Sequence, residues 1–192
     1  MRRAPAAIAL ALSLAATREG AGDPFGSIRI EPKNAGDCDG ITRKYPEHWE
    51  AWRCYWRGSR HLGHWEEASK ALELRLASEP QHDLGRVALA GLLGDQERSG
   101  AVPMLKEAAR RLSAAGNNVE EARARIFLAR RLASQGLVDE GLKEVDLAEA
   151  ALSEASDAEL HALAAISRGN LLLNRSDITG AGEIFRRLER EI

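Results

Sequence analysis

Strand signals are scarce in this 192-residue chain, and Ala, Leu, Glu and Arg dominate it, which favours helix. Cysteine is nearly absent. Two residues, Cys38 and Cys54, are too few for a disulfide-dense scaffold. No excess of one charge sign exists either. A formal net charge of −2 gives no general attraction to nucleic acid or to anionic membranes. The paired arginines Arg110–Arg111, Arg130–Arg131 and Arg186–Arg187 mostly alternate with acids, so nucleic-acid binding is not expected. HExxH, P-loop, GxGxxG and GxSxG patterns are all missing, which removes the common catalytic chemistries. A hydrophobic share of 44% with 29% charged residues fits a soluble helical domain with enough chain for a core.

Only one long apolar run occurs, Ala4 to Ala16, following the basic pair Arg2 and Arg3. It is too short to span a bilayer comfortably and reads as a secretory signal, with Ser13-Leu14-Ala15 as a small-x-small cleavage site. Residues 1–22 are therefore expected to direct export to the periplasm or exterior, with no membrane anchor after cleavage. The alternative is a cytoplasmic chain with an irregular N-terminus. Residues 23–36, with Gly26, Pro32 and Gly36, read as a flexible linker.

From residue 37 the pattern is helical. A short helix over 37–44 stops before Pro46, and Pro46 precedes Pro80 by 34 residues. Small residues at one helix contact recur at Ala68, Ala101, Gly141 and Ala181, separated by 33, 40 and 40 residues. The turn glycines Gly63 and Gly136 and the small residues Ala129 and Gly169 keep the same phase. Pro103 is tolerable in the first turn of its helix. Asn118 with Glu121, and Ser156 with Glu159, read as capping boxes, and Asp139 and Asp177 as N-caps.

The stretch Trp49 to His82 carries a finer signature. At its positions 4, 15, 17, 20 and 32 stand Trp52, Gly63, Trp65, Ala68 and Pro80. This spacing resembles the tetratricopeptide (TPR) repeat. It departs from the pattern where Trp56 and Arg75 replace small residues. The later units, about 40 residues long, resemble longer bacterial TPR variants. Loosely, the order also resembles arrays that precede caspase-like CHAT protease domains, although no such domain is present here. The resemblance implies an all-α, right-handed superhelix of antiparallel helix pairs. A cap over 37–48 would lead repeats at about 49–82, 83–117, 118–156 and 157–192.

The resemblance also implies a function: a non-catalytic scaffold, not an enzyme, holding a protein or peptide in a concave groove. The first helices line such a groove. That assigns Arg53, Arg57 and Arg60, one face by their spacing, then Arg86, Arg123 and Arg130, then Asn170 and Asn174. Guanidinium groups suit acidic segments, and asparagines suit an extended backbone. An ordinary solvated face is the competing reading, since Glu50, Glu120 and Glu121 stand nearby. The arginines at Arg53 and Arg57 exclude the Lys/Asn carboxylate clamp of chaperone-binding arrays.

Trp49, Trp52, Tyr55 and Trp56 are expected to pack between helices, with Trp49 or Tyr55 as a groove anchor the alternative. Cys38 and Cys54 would sit on adjacent helices, either paired in an oxidising compartment or as two thiols. His61, His64 and His82 lack the fourth ligand a metal site needs, so no metal or cofactor is expected. Two further functions stay open: a recognition array serving a larger or associated enzyme, and self-association through the last helix pair.

Overall fold

A computed structural model describes residues 35–62, 65–95, 100–153, 155 and 157–191, and among these the chain is all helical. Nine helices follow one another among the described residues: α1 Ala35–Lys44, α2 Trp49–Leu62, α3 Trp65–Ser78, α4 Asp83–Asp95, α5 Ala101–Ala114, α6 Asn118–Ser134, α7 Val138–Ala151, α8 Ala158–Asn174 and α9 Ile178–Glu191. The signal segment of 1–22 and most of the expected linker lie outside the described residues.

Three of the turns share one chemistry. Asn117 N–H donates to the Leu112 carbonyl and Gly116 N–H to that of Ser113. The same pair of bonds closes Leu132–Leu137 and Leu172–Asp177. Each is a Schellman ending, which needs one residue in the left-handed region. Gly116 and Gly136 supply it at φ 70° and 77°, and Ser176 does so at 66° without glycine's freedom. Helix starts follow the expectation only in part. Asn117, not Asn118, caps α6, its side chain accepting the Glu120 N–H at 3.4 Å. Asp157 caps α8 through Leu160 N–H at 2.9 Å, and Ser156 lies outside the described residues. Asp139 sits inside the first turn of α7, whose cap position is Leu137. Asp177 caps α9 through Gly180 N–H at 2.9 Å.

Packing is local along the chain: each helix meets the next, and α2, α4, α6 and α8 also meet in succession. Contacts fix the directions. Gly141 and Glu144 of α7 face Ala129 and Arg125 of α6, so these two run antiparallel. Trp52 of α2 lies against Gly85 of α4, while Gly91 and Gly94 of α4 lie against Phe127 and Arg131 of α6. Helices α4 and α6 therefore run parallel, and α8, whose Arg168 and Leu171 face Glu149 and Gly141 of α7, runs parallel to α6. Gly85 is required by this approach, because a Cβ there would stand 2.8 Å from the Trp52 ring and from Leu76.

The small residues read from the sequence are where helices touch. Ala68, Ala101, Ala129 and Ala181 are buried, as are Gly141 and Gly169. One apolar cluster runs from Cys38 to Leu132, and two smaller ones join α6 to α7 and α8. Arg75, at a position where a small residue was expected, is buried by pairing with Glu79 and with Asp39 at 3.6 Å. Cys38 and Cys54 form a disulfide that ties α1 to α2. Their Cα atoms are 5.6 Å apart and both side chains are buried.

Candidate functional site

Helices α2, α6 and α8 meet at a corner that holds two of the arginines picked from the sequence, Arg53 and Arg123. Arg53 of α2 donates to Glu50 at 2.9 Å and, across the array, to Glu159 of α8 at 3.2 Å. Arg123 of α6 is buried, bonded to Glu120 at 2.9 Å and 4.0 Å from Asp157. Its guanidinium lies 4.8 Å from the centroid of the Trp49 ring, a cation–π contact. One turn on, Phe127 meets Trp49 and Trp56 edge-on, with centroids at 5.7 and 5.6 Å. The α2–α6–α8 corner is thus closed by the chain's own aromatic and charged side chains.

Two guanidiniums, Arg53 and Arg123, face four carboxylates: Glu50, Glu120, Asp157 and Glu159. Arg86 of α4 is likewise satisfied at home, by Asp83 at 3.3 Å and by the Pro80 carbonyl. Asp83 also accepts Arg111 of α5 at 3.0 Å. Arg130, Asn170 and Asn174 are exposed. Arg130 follows Arg123 by seven residues and Asn170 follows Glu159 by eleven, spacings that put each on the same face of its helix as its predecessor. The side chains of Arg57 and Arg60 lie outside the described residues.

The aromatic residues divide by role. Trp52 is fully buried, its Nε1 donating to the Pro46 carbonyl at 2.7 Å, and Tyr55 is equally buried. Trp49 is buried across the array against α6, which sequence reasoning placed between neighbouring helices. His82 packs on Trp52 at 4.3 Å, and its Nδ1 is buried with no hydrogen-bond partner. Burial lowers its pKa, against the upward pull of Glu47 and Glu79. The side chains of His61 and His64 lie outside the described residues. Among the described residues no group of three His, Cys, Asp or Glu side chains is placed to hold a metal.

Phe127 and Asp157 were missed in the sequence, and Glu159 was read there only as part of a capping box. Phe127 follows Arg123 by four residues and so shares its face, a detectable signal. No local pattern links Glu159 to Arg53, which stands 106 residues earlier.

No family model matches the chain, and no curated protein or solved structure shows a significant similarity to it.

Proposed function

We propose that the chain is a TPR-like right-handed superhelix that acts as a non-catalytic scaffold for a segment of another protein. The observation that carries this reading is the packing order. Helices meet their sequence neighbours, and α2, α4, α6 and α8 also meet in succession. Such an array has an inner face several helices long, prepared before a partner arrives, so ordering costs fall on the partner.

The inner guanidiniums support a changed view of polarity. Arg53, Arg86 and Arg123 are neutralised by neighbouring carboxylates, so surplus charge there is not what would select a ligand. The accessible polar groups Arg130, Asn170 and Asn174 suit hydrogen bonding to a peptide backbone. An exported location belongs to the same proposal. The Cys38–Cys54 disulfide supports it, because such bonds persist in oxidising compartments. Self-association is a second reading, favoured by Leu173 and Ile178 of the last helix pair, which are 45% and 74% exposed.

The test is affinity capture from the source organism with the full chain and with an Arg130→Ala, Asn170→Ala, Asn174→Ala variant of matched circular dichroism. A partner held by the first and lost by the second is expected. Equal capture by both sinks the inner-face reading. Sedimentation over a range of concentrations separates a captured partner from a second copy.

A further inference from the structure

On α6, Arg125 points away from the face that carries Arg123 and Phe127, since two residues of helix turn through about 200°, and Leu128 follows Arg125 by three residues, on the same side. There, between α5 and α7, lies a cleft of about 400 Å³. Its floor is Leu128 and Ala109, and the small side chains of Ser113 and Ala114 keep it open. Lys106, Arg110 and Arg125 form its polar wall, with Glu144 as the single carboxylate in the lining.

The three cations differ in how firmly they are held. Arg125 is fixed, donating to Glu121 at 2.7 Å and to Glu144 at 2.8 Å, and it is only 15% exposed. Burial opposes its charge, and the hydrogen bonds to Glu121 and Glu144 outweigh that, leaving its pKa raised. Arg110 bonds Glu107 through both faces of the fork, at 2.9 and 2.7 Å. That pair stands in solvent, with side chains 68% and 48% exposed, so exchanging its partner costs little. Lys106 is exposed and forms no ion pair among the described residues. Glu107 and Glu121 lie outside the lining but each bonds one of its arginines, so among the described residues Lys106 is the unpaired cation of the cleft and Arg110 the one whose partner exchanges readily.

We propose that this cleft is a second docking site, which takes an acidic side chain of a partner protein. Its carboxylate would sit between Lys106 and Arg110, and an adjoining apolar residue on Leu128 and Ala109. Arg uses its fork on the carboxylate and Lys adds a mobile charge. The inner face is a separate surface, so this site does not depend on what binds there.

The probe is a fluorescein-labelled acidic peptide of alternating Glu and Leu, titrated against the full chain by anisotropy at low and high salt. Lys106→Glu, Arg110→Glu is expected to weaken binding at least tenfold. Lys70→Glu on α3, an equally exposed charge reversal, should change it less than twofold. Glu144→Gln, which releases one arm of Arg125, should tighten it. A milder Lys106→Ala, Arg110→Gln variant stands in if the reversal lowers helicity, and a fivefold loss is expected from it. The proposal is overturned if the peptide does not bind, or if Lys70→Glu weakens it as much as the cleft variants do. It is also overturned if Arg130→Ala, Asn170→Ala, Asn174→Ala abolishes binding while the cleft variants do not; that outcome assigns the acidic segment to the inner face.

Discussion

Ser176 holds a left-handed backbone at φ 66° in a turn whose two counterparts use glycine. A Cβ in that region costs about 1–2 kcal/mol, partly offset by the freedom a glycine loses on folding. Ser176→Gly is therefore expected to stabilise by about 0.5–1 kcal/mol, read from the urea midpoint at unchanged slope. His82 makes a second residue-scale test. Its folded pKa is lowered by burial, whereas the unfolded chain titrates near pH 6.5. Below about pH 6.5 the unfolded chain takes up a proton that the folded one resists. Its stabilising contribution is thus present above that pH and fades as the pH falls. The urea midpoint should drop from pH 7.5 to 5.5, and His82→Phe, which keeps a ring on Trp52, should drop less. An identical drop in both proteins would remove His82 from the account.

At the scale of elements, close approach depends on missing side chains. A Cβ at Gly141 would stand 2.7 Å from the Leu171 side chain and 3.1 Å from the Ala129 carbonyl. The methyl could move; the backbone oxygen of α6 cannot do so alone. Gly141→Val is expected to part α7 from α6 and α8 at a cost of about 1–3 kcal/mol, measured by chemical denaturation. Full stability in that variant would show that the helices can separate freely. The periodic small residues made this contact legible in the sequence, because size and spacing are local properties. The helix starts were less legible. Asn117 or Asn118, and Ser156 or Asp157, offer the same cap chemistry one residue apart, and only the chain's path into the helix selects between them.

For the whole molecule, α6 is the keystone. Its residues enter all three apolar clusters: Phe127 and Leu128 the largest, Ile126 the second and Ala129 the third. Helix α9, by contrast, packs mainly on α8. In a linear array, stability is close to a sum of neighbour terms, so the ends open before the middle. Native-state hydrogen exchange should be slowest in α6 and fastest in α9. Uniform protection along the chain would point instead to a single cooperative unit. The contact of Arg53 with Glu159 does not change this expectation, because such part-exposed pairs contribute about 0–1 kcal/mol.

What the sequence determined by itself was the all-helical class, the spacing of the small contact residues and the burial of Trp52. Each follows from propensity, periodicity or side-chain volume within a short window. Only the tertiary structure decided the state of the inner arginines. Their spacing showed that they share a face, but whether a guanidinium there is available depends on carboxylates brought by distant helices. Glu159 reaches Arg53, and Trp49 and Asp157 reach Arg123, because α2, α6 and α8 pack together. The cleft between α5 and α7 arose in the same way. Lys106, Arg125 and Glu144 lie on three helices, and their meeting is a matter of how helices stack, which no local pattern encodes.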